Sequence, residues 1–193
     1  MAVTAWRAPG TVTQDTSVGT QALTNPNNLA ATGTTYAVID WSSGLGNALS
    51  YRYALHNFNF AAEGIPSGST IDGWEVSYDG FEKGSTDNVR PENIWTRRHD
   101  GSYQSGLLVN FTTEYSTSKT TYVEGNGASI NGYDSGAYDA PTVADVEDTD
   151  FGFAIQFISV SGVTPDANFN ACKMRVYYTP PAASAWNPQV IFY

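Results

Sequence analysis

Residues 70–79 read TIDGWEVSYD, and their pattern is that of a β-strand with one buried face. The apolar residues Trp74, Val76 and Tyr78 alternate with polar ones, which gives a period of two. Residues 64–70, just before them, contain a proline that presets φ and glycines that accept positive φ, as a tight turn requires. This part of the chain is therefore predicted to be a turn that leads into a half-buried strand.

Patterns typical of short β-strands also occur in other parts of the chain. Alternating or short apolar runs occur at residues 35–41, 49–56, 107–111, 120–123, 151–157 and 171–179, with a further strand around 94–95. No stretch of ten residues has the period of an amphipathic helix, and one helical turn is predicted at 141–148 with Thr142 as its cap. Residues 125–140 and the stretch that ends at 166–167 are predicted loops. We therefore predict an all-β fold, an antiparallel jelly-roll-like β-sandwich of about eight strands.

The length of 193 residues suits one sandwich domain with extended N- and C-terminal arms better than two domains. Residues 1–34 are polar and are predicted to form an arm with edge strands. Residues 35–179 form the sandwich, and residues 180–193, which begin with two prolines, form a C-terminal tail. Gly73 interrupts a strand, which predicts a bulge or the close approach of another backbone.

Charge excludes several classes of partner. Charged residues make up 15% of the chain, and 19 acidic against 9 basic residues give a net charge of −10. Nucleic-acid binding depends on Lys and Arg that neutralise phosphates, and anionic membranes attract basic segments, so neither partner is predicted. The single cysteine, Cys172, forms no intrachain disulfide and is predicted to be a small buried apolar residue. No cofactor is predicted.

Four stretches together resemble a known family. They read NPNN (residues 25–28), IPSGSTIDGWEV (residues 65–76), VADVEDTDFGF (residues 143–153) and CKMRVYYT (residues 172–179). In this order they resemble a β-sandwich domain of virion proteins from tailed bacteriophages, over roughly residues 25–179. Trp74 departs from the family pattern, which has a smaller aliphatic residue at that position.

The resemblance implies a structural role on the phage particle. The function predicted first is a capsid decoration or cement protein that bridges and stabilises major capsid subunits from the outer capsid surface. Its partners would be the major capsid protein and other copies of itself, in a homotrimer. The family has no catalytic motif to transfer, so no catalytic residues and no enzyme activity are predicted.

Aromatic and apolar residues near the termini are the predicted interface. A loose terminal segment is ordinarily polar, yet this chain ends on apolar residues, which indicates that the tail either folds back on its own sandwich or docks on a neighbouring subunit. Docking on a neighbour is the hypothesis adopted here. The candidate interface residues are Trp6, Trp186, Val190, Ile191, Phe192 and Tyr193.

Aromatic residues in predicted loops give an alternative function. Trp95, Tyr103, Tyr133 and Tyr138 could contact another protein or form a sugar-binding platform, and the residue types alone do not separate these two uses. The alternative function is a tail or head fibre, or receptor-binding domain, that recognises host glycans through these aromatic residues.

Two sets of carboxylates are candidate chemical sites. Asp145, Glu147, Asp148 and Asp150 form the densest acidic cluster, a weak candidate for calcium, although the cluster lacks the glycine and terminal glutamate of an EF-hand loop. Glu75 and Asp79 share a strand face. They are the candidate pair of catalytic carboxylates for a third alternative function, a glycosidase. Both sets are predicted to be ordinary solvent-exposed carboxylates, and no metal site is predicted.

Overall fold

The structure, a computed structural model, describes residues 1–41, 48–83, 89–104, 109–110, 115–129, 140–160 and 166–182. Two antiparallel sheets pack face to face, so the predicted all-β jelly-roll-like sandwich is confirmed. The described residues form the strands β1 (Ala2–Val3), β2 (Thr11–Asp15), β3 (Leu23–Thr24), β4 (Ala37–Asp40), β5 (Arg52–His56), β6 (Thr70–Lys83), β7 (Val89–Arg97), β8 (Val109–Asn110), β9 (Thr120–Asn126), β10 (Gly152–Ser159) and β11 (Asp166–Thr179).

A six-stranded sheet is built around β11. The strand order is β3-β4-β11-β6-β9, and β1 adds to the free end of the β11 edge that β4 occupies. One edge of β11 pairs with β6 from Asp166↔Lys83 to Thr179↔Thr70. Because β11 has fourteen residues, it holds both the N-terminal strand β1 and the strand β4 in one sheet.

The five-stranded sheet has the order β2-β5-β10-β7-β8. Its central strand β10 is buried along its whole length. β5 pairs with one edge of β10 and β7 with the other, and a bulge lies between Gln156 and Phe157. The strand β2, from the predicted N-terminal arm, forms one edge of this sheet.

The core lies between the two sheets. Trp74, Val76 and Tyr78 are buried on one face of β6, as the alternation in residues 70–79 predicts. The indole Nε1 of Trp74 donates to Thr96 Oγ1 at 3.0 Å, and Thr96 belongs to the opposite sheet. Phe157 and Phe169 stack between the sheets with ring centroids 3.9 Å apart. Aromatic contacts of this kind add to the free energy gained from burying the rings.

The one α-helix of the described residues is α1 (Val143–Glu147), and it confirms the helical turn predicted at 141–148. Thr142 Oγ1 accepts from the backbone N–H of Asp145, and Asp145 Oδ2 accepts from the backbone N–H of Thr142 at 2.8 Å. This reciprocal pair is a capping box, which satisfies two backbone donors that a helix leaves without partners.

Loss of this cap should measurably weaken the fold. Thr142→Ala is expected to lower the free energy of unfolding by about 1 kcal/mol, because the N–H of Asp145 loses its acceptor. Urea unfolding followed by tryptophan fluorescence measures the change. Thr142→Ser keeps the hydroxyl and is the matched control, so an equal loss in both variants would contradict a capping role.

Several strands are longer than predicted, and polar or irregular residues explain the two largest differences, in β7 and β11. β7 spans nine residues instead of the short stretch around 94–95, because Pro91 and the bulge opposite it break the alternation. β11 begins at Asp166, where a loop end was predicted. Asn170 in this part of β11 is buried, and its Nδ2 donates to the carbonyl oxygens of Gly33 and Thr35 at 3.2 and 2.8 Å.

Cys172 and Gly73 have the environments predicted for them. Cys172 is a free, buried thiol, and burial raises its pKa well above the ordinary value. A Cβ on Gly73 would lie 2.5 Å from the carbonyl oxygen of Asn126, so only glycine fits beside that backbone. None of the helices in the described residues has the length and apolar character needed to cross a membrane.

Candidate functional site

The outer face of the five-stranded sheet, which points away from the core, carries the candidate site. Thr13, Ala54, Ala154 and Trp95 lie side by side across β2, β5, β10 and β7. Ala54 and Ala154 are buried but do not belong to the core cluster, so they form a floor of small side chains on the outer side. Residues two positions away along each strand share this face, which places Arg52 on it.

Trp95 and Tyr103 meet at one side of that floor. Tyr103 forms an isolated bridge with Arg97 at the end of β7. The Arg52 guanidinium carbon lies 3.9 Å from the centroid of the Tyr103 ring and 5.4 Å from that of Trp95. We call the surface made by Thr13, Arg52, Ala54, Trp95, Tyr103 and Ala154 the aromatic face.

The guanidinium between the two rings is fixed by a carboxylate. Arg52 Nε donates to Asp15 Oδ2 at 3.1 Å, and its Nη2 donates to the same oxygen. The backbone N–H and the hydroxyl of Ser17 donate to the other oxygen, Oδ1, at 2.9 and 2.6 Å. Together with Arg52, and against the effect of burial, the Ser17 hydroxyl lowers the pKa of Asp15 from 3.8 to about 2. Asp15 therefore stays ionised and holds Arg52 in place.

This pKa predicts a pH dependence of stability. A carboxyl whose folded pKa lies below its unfolded value stabilises the fold above pH 3.8, and this contribution is lost as the pH falls through about 2. Asp15→Asn is expected to remove this pH-dependent stability. The expected loss is only about 1 kcal/mol, because the carboxyl lies close to solvent, which screens its interactions. Urea unfolding at several pH values between 2 and 5 measures it. Ser17→Ala is expected to flatten the profile only partly, and a profile unchanged in Asp15→Asn would contradict the assignment.

The other end of the same outer face is also held by hydrogen bonds. His56 Nδ1 lies 3.0 Å from the carbonyl oxygen of Thr149, and its Nε2 lies 3.1 Å from Thr13 Oγ1. Arg97 Nη1 donates to Asp150 Oδ1 at 2.7 Å. These contacts hold the side chains around the floor in defined positions before any ligand arrives.

The chemistry of the aromatic face suits a ligand with both apolar faces and hydroxyl groups. The rings of Trp95 and Tyr103 supply flat apolar surface, and Asn93, half-buried beside Gln156, supplies an amide. Small-molecule sites commonly combine aromatic walls with a few placed polar groups in this way.

The structure places only some of the predicted site residues. Trp95 and Tyr103 are brought together, whereas Trp6 lies apart from them and is half-buried. The remaining candidates, Tyr133, Tyr138, Trp186, Val190, Ile191, Phe192 and Tyr193, lie outside the described residues. The sequence reasoning missed Arg52 and Ala54, although their alternation with buried Tyr53 and Leu55 marks them as outward-facing.

The acidic cluster at 145–150 is engaged by protein groups. Asp145 caps α1 and lies 3.3 Å from His99 Nδ1, and Asp148 Oδ1 accepts from the N–H of Asp150 at 2.7 Å. Glu147 is the last residue of α1. Across the described part of the chain, no three His, Cys, Asp or Glu side chains are placed to hold a metal ion.

Glu75 and Asp79, the candidate carboxylates for glycoside cleavage, also bind other side chains of the protein. Glu75 Oε2 accepts from Arg175 Nη2 at 2.6 Å and from the hydroxyl of Tyr177 at 3.0 Å. Asp79 is bound by Lys119 Nζ at 2.9 Å and by the Thr121 hydroxyl at 2.6 Å. Both carboxylates lie on the six-stranded sheet, away from the aromatic face.

Comparisons with known proteins find a likeness in fold. No protein-family model and no curated protein matches the chain. The N-terminal cellulose-binding domain of a Cellulomonas fimi β-1,4-glucanase is 12% identical, with a TM-score of 0.33 over 93% of this chain and 90% of that one. The family 22 carbohydrate-binding module of Clostridium thermocellum Xyn10B is 10% identical, with a TM-score of 0.41 over 90% and 94%.

A third similar structure is larger. The arabinose-bound MgGH51 α-L-arabinofuranosidase is 8% identical, with a TM-score of 0.45 over 86% of this chain, which spans only 23% of the arabinofuranosidase. At such identities and TM-scores the likeness extends to the fold, and no ligand or activity is carried over from it.

The predicted role as a capsid decoration protein is wrong. The solved structures that this chain resembles include carbohydrate-binding modules and glycosidase domains, and they give no support to a capsid role.

Proposed function

We propose that this chain is a glycan-binding module and that the aromatic face is its binding surface. The observation that carries the proposal is the meeting of Trp95 and Tyr103 beside the floor of Ala54 and Ala154. A sugar ring has apolar C–H faces that pack on aromatic rings, and hydroxyl groups at its edge that need directional partners. The aromatic face offers both on one rigid sheet.

The rigidity of the face supports binding. Asp15 and Ser17 fix Arg52, and Arg52 in turn contacts both aromatic rings. A surface whose side chains are already held in place loses less conformational entropy when a ligand binds. The aromatic face is therefore built to receive a sugar without rearrangement.

Binding without cleavage is part of the proposal. A glycosidase ordinarily needs two carboxyl groups across the scissile bond, one of them protonated as the general acid. On the described outer face, Asp15 is ionised by its low pKa and paired with Arg52, and Asp150 is paired with Arg97. Neither carboxyl is placed to donate a proton to a leaving group.

The test is retention of the purified chain by soluble polysaccharides. Native gels that contain xylan, β-glucan or galactan, each at several concentrations, measure how far the chain is slowed relative to albumin. Slower migration that saturates with one polysaccharide is the expected result. Migration equal to that of albumin in every gel would overturn the proposal.

The larger protein or particle to which such a module belongs is a separate proposal. The four stretches that resemble phage virion proteins are compatible with a tail or head fibre domain that recognises host glycans. A location on the particle, and the absence of nucleic-acid and membrane partners, remain predictions from the sequence.

A further inference from the structure

A recess separate from the aromatic face lies where the chain passes from the six-stranded sheet to the five-stranded one. It has a volume of about 490 Å³, within the range of small-molecule sites, and its lining includes Trp6, Arg7, Gly10, Asn57, Phe58 and Asn59. One wall comes from the segment that leads into β2, and the other from the turn that follows β5. The recess shares no residue with the aromatic face.

The indole ring of Trp6 is fixed in the wall of this recess. The Arg175 guanidinium carbon lies 4.5 Å from the centroid of the Trp6 ring. Arg175 is held in turn by Glu75, whose Oε2 accepts from Nε at 2.9 Å and from Nη2 at 2.6 Å. A ring held by a paired guanidinium is a pre-formed wall, so a ligand need not order it.

The backbone on both sides of the recess is anchored as well. Arg7 and Met174 exchange two backbone hydrogen bonds of 2.9 Å, and the N–H of Gly10 donates to the carbonyl oxygen of Asn57 at 2.9 Å. The Arg7 side chain pairs with Glu63 at 3.3 Å and donates from Nε to the carbonyl oxygen of Phe58. The guanidinium of Arg7 is therefore a structural tie between the two walls.

Three polar groups remain available to a ligand. Within the described residues, the side-chain amides of Asn57 and Asn59 and the Nε1–H of Trp6 form no hydrogen bond. Both asparagines have left-handed backbone, with φ of 60° and 56°. A Cβ on Gly10 would lie only 2.8 Å from Asn57 Nδ2, so the glycine leaves space for that amide beside the chain.

We propose that this recess binds one residue of a carbohydrate and forms a second sugar site, independent of the aromatic face. The fixed indole supplies a flat apolar wall for the C–H face of a sugar ring. Two amides, each both donor and acceptor, together with the indole N–H, suit hydroxyl groups at the edge of that ring. Arg7 is already paired with Glu63, so the recess offers no unpaired cation and suits an uncharged sugar.

The two sites can be separated by NMR of the tryptophan indoles. The ¹H–¹⁵N signals of Trp6 and Trp95 are assigned with the variants Trp6→Phe and Trp95→Phe. Xylotetraose, cellotetraose and β-1,4-galactotriose are then added separately up to about 10 mM, a range that covers weak binding. The Trp6 signal is expected to shift along a saturating curve with at least one of them, and the same amount of glycerol is expected to leave it unmoved.

Each outcome tests the two proposals differently. A shift of Trp95 alone overturns the recess and supports the aromatic face, and a shift of Trp6 alone does the reverse. If neither indole signal shifts, both the recess and the aromatic face are overturned as sugar sites. An equal shift of Trp6 with glycerol overturns the recess as a sugar site, since binding would then not distinguish a sugar from any polyol.

A matched pair of variants tests the amide. Asn59→Gly removes the side chain while glycine tolerates the left-handed backbone, and Asn25→Gly is the control. Asn25 has the same backbone conformation, φ 54°, and it also precedes a 3₁₀ turn, but it is not part of the recess. Asn59→Gly is expected to weaken binding at Trp6 about fivefold, the effect of one hydrogen bond. Equal affinities of the two variants would overturn the role of Asn59.

Discussion

Trp74→Ala is expected to lower the free energy of unfolding by about 4 kcal/mol, the largest effect of any single substitution proposed for this chain. Trp74 is fully buried and packs edge-on against Phe151, with ring centroids 5.4 Å apart. Its indole also donates to Thr96 Oγ1 of the opposite sheet. Truncation therefore leaves a cavity between the sheets and breaks a hydrogen bond that joins them.

Two further variants make this prediction measurable if Trp74→Ala does not fold. Trp74→Phe keeps an aromatic ring and is expected to cost less than half as much. Thr96→Val removes the hydrogen-bond acceptor at nearly constant volume and is expected to cost about 1–2 kcal/mol. Equilibrium unfolding in guanidinium chloride measures all three. A change below about 1 kcal/mol in Trp74→Ala would show that this ring does not join the sheets.

The fold was predictable because core-facing residues alternate with outward-facing residues along its strands, which gives the sequence a period of two. The alternation in residues 70–79 and 151–157 corresponds to strands whose large apolar side chains face the core. The pattern fails in the first residues of β11, where Asn168 and Asn170 are buried. The side-chain N–H groups of Asn170 donate to carbonyl groups more than 130 residues away, and such distant partners leave no local trace in the sequence.

The candidate site was predictable only in part, for a similar reason. Trp95 and Tyr103 are recognisable from the sequence as candidate contact residues, because exposed aromatic residues commonly bind proteins or sugars. Arg52 and Ala154 were not, because their place beside Trp95 depends on the register of β5 and β7 against β10. Register is a pairing between distant segments, and the period of each strand does not specify it.

The mistaken capsid role came from stretches that determine structure. In the stretch at 65–76, Ile65, Ile71 and Val76 are buried, and in the stretch at 172–179 the same holds for Cys172 and Val176. These residues form turns and core, so a resemblance between them reports on the fold. The residues of the aromatic face lie outside all four stretches, and the resemblance therefore carried no information about what the surface binds.

The prediction that follows from the aromatic face is the loss of glycan binding in Trp95→Ala. The half-buried indole is expected to supply most of the flat apolar contact with the sugar. Its removal is expected to weaken binding about thirtyfold or more, as for a central anchor of an interface. Isothermal titration calorimetry with the polysaccharide that retains the native chain measures the change.

The control for Trp95→Ala is an equivalent ring on the other side of the molecule. Tyr36 is half-buried, contacts Phe81 edge-on and lies 5.6 Å from Lys119 Nζ, so it resembles Trp95 in exposure and in having a nearby cation. Tyr36→Ala is expected to bind as the native chain does. Both variants should unfold cooperatively in urea, which shows that any lost affinity is local. Equal affinity of Trp95→Ala and the native chain would mean that the two rings only shield Arg52 and the floor of the sheet, and the glycan would have to bind elsewhere.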